Sequence, residues 1–274
     1  MSERSPEPGQ RLAAAAPPPQ KLWQHLHEWW LLWWNNLYVG SAALLLMASP
    51  ASYSLRLWNT VAQRVYARLK WPLVLFLLLV ALASSVLTRI VAQSLAGYGL
   101  AGLTMPLVQR VLVLELLPLA AALVVAIKMG IPMGAELAGL RRARHLQRVR
   151  QAGGDPLRSE LLPRLLMSLY ASTMFTAFGS VLAMGTLYVG VYGYTAAGLS
   201  LFTHEFGRIM TVPFSISYFL KVLSFGFVVG LIPLTSGIYN TRYGLRSDTE
   251  LATLARMLAI LLLIEVLCLA LHYF

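Results

Sequence analysis

From Leu165 to His204 the chain carries no Lys, Arg, Asp or Glu. That run is far longer than the ~20 residues one bilayer crossing needs, and an ordinary soluble core could not hide it. Further apolar stretches cover about 72–88, 111–135, 213–236 and 252–272. Inside hydrocarbon every backbone N–H and C=O must be satisfied within the segment, so such stretches become helices. The sequence therefore predicts an all-α integral membrane protein. It has amino-terminal interfacial, amphipathic helices followed by five transmembrane helices.

The charges support the same reading. Only 12% of residues are charged, against about 25% in a soluble domain. The net charge of +11 raises nucleic acid as a partner. The basic residues instead cluster just outside the apolar runs, as the positive-inside rule expects, so no nucleic acid is called for. With the amino terminus inside, the inner segments 1–71, 136–164 and 237–256 hold seven, seven and three Lys or Arg, and the outer segments 89–110 and 190–212 hold two and one. The expected topology has the amino terminus cytoplasmic and the carboxyl terminus periplasmic.

Taken in order, residues 1–20 are rich in Pro, Ala and Ser and read as a disordered tail without the apolar core of a signal peptide. Residues 21–71 form the interfacial region. Five tryptophans between Leu22 and Trp34 suit the headgroup zone, and 56–70 reads as a basic amphipathic helix on the inner leaflet. A sixth span over 29–48 is the alternative. Residues 72–274 form the five-span domain. Within it lie a connection over 89–110, a third span ending near Tyr188, a short periplasmic helix around 196–211 and a polar hairpin over 239–246.

Between the second and third spans the composition inverts. Arg141, Arg142, Arg144, Arg148, Arg150, Arg158 and Arg164 fall within 24 residues, interrupted by Gly153-Gly154-Asp155-Pro156. Gly153-Gly154 can end one helix, Asp155 can cap the next, and Pro156 suits its first position. The segment reads as a cytoplasmic helical elbow.

Four charges fall inside spans: Glu115 and Lys128 in the second, Lys221 in the fourth and Glu265 in the fifth. Thirteen residues at about 100° each put Glu115 and Lys128 on opposite faces, so they cannot pair directly. Each needs a partner on another helix or water, because an intramembrane charge costs ~2.5–3.5 kcal/mol. They either line a polar path or sit near the two surfaces, with Lys128 snorkelling inward. No Walker A, H-E-x-x-H, G-x-S-x-G or C-x-x-C pattern occurs. The five histidines are scattered, and His25 and His27 point to different helical faces. The single Cys268 excludes an internal disulfide. No cofactor, no metal site and no enzymatic activity are expected.

The chain resembles the MlaE/YrbE-type permease subunit of phospholipid ABC transporters over roughly residues 60–274. The family's Glu-Leu-Gly-Pro appears as Glu115-Leu116-Leu117-Pro118, and its Gly-Arg-x-Gly as Ile127-Lys128-Met129-Gly130. Its Ala-Glu-Leu appears as Ala135-Glu136-Leu137. Its Gly-x-Asp-Pro-x-Arg is met at Gly153-x-Asp155-Pro156-x-Arg158, followed by Pro163-Arg164. The chain departs in its Leu117 and Ile127, in Lys128 replacing an arginine, and in a coupling segment Arg144-His145-Leu146-Gln147-Arg148-Val149-Arg150 with no acid.

The resemblance implies a non-enzymatic permease that moves phospholipids between the inner and outer membranes of a Gram-negative envelope. It would sit in the bacterial inner membrane as a dimer with a second permease copy, bind an ABC ATPase subunit, and meet a periplasmic MCE-domain lipid-binding protein. The coupling helix would be Arg141 to Ala152, with Arg144, His145, Arg148, Arg150, Gly153, Asp155, Pro156 and Arg158 as coupling residues. Arg144 and Arg148, four apart, would share one helical face. Glu115, Pro118, Lys128 and Gly130 would line the lipid path. Two rivals remain: a secondary carrier using Glu115, Lys128 and Glu265, and a structural subunit that has lost coupling.

Overall fold

The computed structural model describes residues 19–49, 55–195, 197–239 and 250–273. The expected tail falls almost wholly outside the described residues, and the hairpin after Tyr239 does so as well. The described residues form helices α1 (Pro19–Ala48), α2 (Leu55–Gly97), α3 (Ala101–Arg142), α4 (His145–Gln151), α5 (Leu157–Tyr192), α6 (Gly198–Ile209), α7 (Val212–Tyr239) and α8 (Glu250–Tyr273). Among them, five helices are long and apolar enough to cross a membrane: α2, α3, α5, α7 and α8.

The sequence places a break before Pro72, between an interfacial helix and the first span. The structure instead runs both as the single 43-residue α2 with Pro72 inside it. A proline removes one N–H and crowds the preceding turn. Packing outweighs that cost here, because the buried stripe Val61, Val65, Leu69, Phe76, Val80, Ser84 and Thr88 continues across it. The connection expected over 89–110 is correspondingly shorter. The chain reverses at Gly99, with φ +73°, and α3 begins at Ala101.

Helix α3 is not uniform. It widens into π-helical turns at Gln109–Leu116 and Ala126–Gly130, a local unwinding that accompanies functional sites more often than chance allows. At its lower half α3 lies directly on α7. A Cβ on Gly134 would stand 2.5 Å from the Pro233 carbonyl oxygen, and one on Gly237 would stand 2.6 Å from that of Gly134. Earlier in α7, a Cβ on Gly226 would stand 3.0 Å from the Leu169 Cα of α5, and Gly230 packs against the Leu165 and Ser168 side chains. Lipid offers little hydrophobic drive for helix association, so small residues that let backbones meet supply much of the adhesion.

Helix α1 packs its Val39 and Ala43 into the bundle, and Gly40 faces Leu231 of α7. At the opposite end, α6 is pinned by rings: Phe202 meets Tyr188 edge-on at 5.2 Å and Tyr192 at 6.4 Å. Its helical span agrees with the short helix expected around 196–211.

Candidate functional site: an intramembrane charge cluster and a basic elbow

Three helices contribute one charged residue each to a common point. Lys221 of α7 is 5% exposed, and its ammonium donates to the Glu115 carboxylate of α3, to Glu265 Oε1 of α8 at 2.8 Å and to the Leu114 carbonyl oxygen at 3.0 Å. An ammonium has three N–H donors, and here all three are used. Its charge also lies 5.9 Å from the centroid of the buried Phe225 ring, within cation–π range.

The sequence explains why that carbonyl is available. In an α-helix the oxygen of residue 114 would accept from the N–H of residue 118, and that residue is Pro118, which has none. The π-turn ending at Leu116 and the proline together offer the Leu114 oxygen to another helix. Beside the cluster lies a small open recess of about 30 Å³ lined by Leu114, Glu115, Phe214, Ser217, Tyr218, Lys221 and Cys268. Tyr218 is held there by a 2.9 Å hydrogen bond with Ser180 of α5. The arrangement sets two carboxylates against one ammonium and welds α3, α7 and α8 together.

Of the four residues expected along a path, Glu115 and Pro118 come together at this cluster. Lys128 does not join them; its side chain is exposed on the outer face of the π-turn Ala126–Gly130. Gly130 is buried at the α3–α7 crossing, where a Cβ would stand 2.7 Å from the Val229 carbonyl oxygen. The partners that Glu115 needed are Lys221 and Glu265. Each was visible as a charge inside a span, but nothing in the sequence sets the three at one depth.

The elbow is built differently. Helix α3 stops at Arg142, and Arg144 takes a left-handed conformation at φ +56°. It is the one non-glycine residue with positive φ among the described residues. Such a conformation costs an L-residue roughly 1–2 kcal/mol. The continuous coupling helix expected from Arg141 is therefore broken, and only His145–Gln151 forms α4. Arg144 is the left-handed N-cap of α4, its carbonyl oxygen accepting the Arg148 N–H at 3.1 Å. Arg148 also reaches back to donate from Nη2 to the Ala143 carbonyl oxygen at 2.8 Å, which steadies the kink.

The end of α4 follows its glycines. Gly153 adopts φ +81°, its N–H bonds the Arg150 oxygen at 3.1 Å, and the Gly154 N–H bonds the Val149 oxygen at 2.9 Å. This is the paired hydrogen-bond closure that a left-handed glycine permits. Asp155 then caps the next helix, accepting the Leu157 N–H on Oδ1 at 3.0 Å, with Pro156 following it. Glu160 ties the two helices together. It lies 3.4 Å from His145 Nε2 of α4 and accepts from Arg164 Nη1 at 2.5 Å. Arg158 is exposed on the same turn.

The basic side chains divide by direction. Arg141 turns inward and donates to the Ile238 carbonyl oxygen of α7 at 2.8 Å. Arg142, Arg144, Arg148 and Arg150 are exposed. Among the described residues, no group of three or more His, Cys, Asp or Glu could hold a metal ion.

The model of the family described as Permease MlaE matches residues 63–271, which takes in all five long apolar helices and the elbow. The chain belongs to the MlaE permease family. Probable ABC transporter permease proteins of Rickettsia prowazekii and Rickettsia conorii are 27% and 28% identical to it over 127 residues, or 46% of this chain and 49% of each relative. The chain thus spans about half the length of the curated relatives it matches. Within this MlaE-family chain, the motif residues Glu115, Pro118 and Asp155 are the ones whose side chains or backbone chemistry the fold uses most directly.

Proposed function

We propose that this chain is the permease subunit of an ABC transporter that moves phospholipids between the inner and outer membranes of a Gram-negative envelope. It is a multi-pass inner-membrane protein with its amino terminus and elbow in the cytoplasm and its carboxyl terminus in the periplasm. ATP is hydrolysed by a separate subunit, which docks on the elbow through α4 and the Gly153–Arg158 turn. Two copies enclose the lipid path, and an MCE-domain protein exchanges lipid at the periplasmic face.

The observation that carries this reading is the family match across the whole membrane domain, elbow included. The cluster supports a specific division of labour. Its ion pairs hold α3, α7 and α8 as one block, so that movement of the elbow at the end of α3 is passed to helices that flank the lipid path. Glu115 and Lys221 both line the neighbouring recess, and Glu115, about a quarter exposed, is the more accessible of the two.

The cluster also favours a second reading, a secondary carrier in which Glu115, Lys221 and Glu265 handle a proton or ion. Reconstitution separates the two. The chain is incorporated into liposomes with its nucleotide-binding subunit, and transfer of fluorescent phospholipid to an acceptor MCE-domain protein is followed. Transfer that requires ATP supports the proposal. Transport driven by a proton gradient without ATP or the second subunit would replace it with the carrier.

A further inference from the structure

Between Glu136 and Asp155 the chain has no acidic residue, yet it carries five arginines and His145. Arg141 is committed to the carbonyl of Ile238. The other four are exposed, and among the described residues none of them forms an ion pair. Four like charges on so short a segment repel one another, and no counter-charge within the described chain relieves them.

Position 144 adds an independent observation. A left-handed turn there is met most cheaply by glycine, which lacks the crowded Cβ. This chain instead has an exposed arginine at φ +56°. Strain retained at a surface position points to a side chain that is needed where it is.

Anionic headgroups carry the same charge as an acidic groove. A fluid headgroup layer requires no fixed side-chain position, however, whereas the left-handed turn holds Arg144 in one place at a cost in strain.

We infer that the elbow is a docking surface of positive polarity, with Arg144, Arg148 and Arg150 seated in a groove of the ATP-hydrolysing subunit lined by Asp and Glu. This rests on the permease reading above and specifies the chemistry of that partner. Complementary charge fixes partner choice, because like charges facing one another across an interface are strongly penalised. The surface would therefore reject a nucleotide-binding subunit whose groove carries Lys or Arg. Arg148 has a structural task at the kink, so Arg144 and Arg150 are the pair to vary.

The test uses the full chain in nanodiscs and the nucleotide-binding subunit that co-purifies with it, with affinity measured over a range of salt. Arg144→Glu with Arg150→Glu should weaken association by more than about tenfold, and reversing groove acids to Lys should restore it. Arg144→Gly removes both the charge and the strain. It should leave the fold at least as stable in a thermal melt while still weakening association and flattening its salt dependence, and Arg144→Lys should keep most of the affinity. Normal assembly of the double reversal would overturn the inference while leaving the permease reading intact. So would a loss confined to nanodiscs that contain phosphatidylglycerol, since the arginines would then face headgroups. A wild-type chain that binds no nucleotide-binding subunit at all would overturn both.

Discussion

The intramembrane cluster and the elbow are both rich in charge, and they treat it in opposite ways. In the cluster, Lys221 spends every donor on Glu115, Glu265 and Leu114, and two of the three side chains are nearly inaccessible. In the elbow, four exposed arginines have no acid among them. The difference reflects the solvent. In hydrocarbon an uncompensated charge costs several kcal/mol, so balance has to be found within the chain. In water the cost is small, and an imbalance can persist until a partner supplies the opposite sign.

The largest expected effect breaks the cluster from its centre. Lys221→Met leaves two carboxylates facing each other without a counter-ion and should cost about 3–5 kcal/mol, read as a lowered melting temperature in detergent. If the loss matches that of an ordinary surface lysine, the cluster is not what joins the three helices. Glu115→Leu should be much milder, because Lys221 and Glu265 remain as a balanced pair. The partner on another helix that the sequence requires for Glu115 is Lys221. Lipid transfer should fall more than stability in that variant.

Next comes the close contact that holds two of these helices, α3 and α7. Gly134→Leu pushes a side chain into the Pro233 backbone, which leaves no flexible atoms to yield, and should destabilise by about 1–3 kcal/mol. Comparing this variant with Lys221→Met apportions the α3–α7 association between close packing and charge.

At the elbow the effects on stability are smaller. Asp155→Ala removes a helix cap and should cost about 0.5–2 kcal/mol, with hydrogen exchange rising first at Leu157 and Ser159. Arg144→Gly should gain roughly 1 kcal/mol by relieving the left-handed strain. The smallest effect belongs to the exposed pair Arg68–Glu136, with side chains 41% and 45% accessible. Its removal should change stability by less than about 1 kcal/mol. A larger change would mean that this pair, like the cluster, is shielded from water in the assembled protein.

The comparison also shows how far the sequence could be read. The five apolar helices, the short α6, the turn at Gly153–Pro156 and the family motifs were all legible, because each depends on local composition or on a residue with special backbone chemistry. Pro72 misled for the same reason: its local preference is to break a helix, and the stripe from Val61 to Thr88 overrode it through contacts with α5. The coupling helix was read as one piece because nothing in Arg142-Ala143-Arg144 announces a left-handed turn.

What the sequence determined by itself was the solvent of the protein and the placement of its charges along the chain, since burying uncharged helices and leaving arginines at their ends follows from transfer free energies alone. Only the tertiary structure decided which charges meet. Glu115, Lys221 and Glu265 lie more than forty residues from one another, and their convergence depends on the relative depth and rotation of three helices. For α3 and α7 those follow from where Gly130 and Gly134 allow the two backbones to touch, a property of surfaces in contact that no single stretch of residues contains.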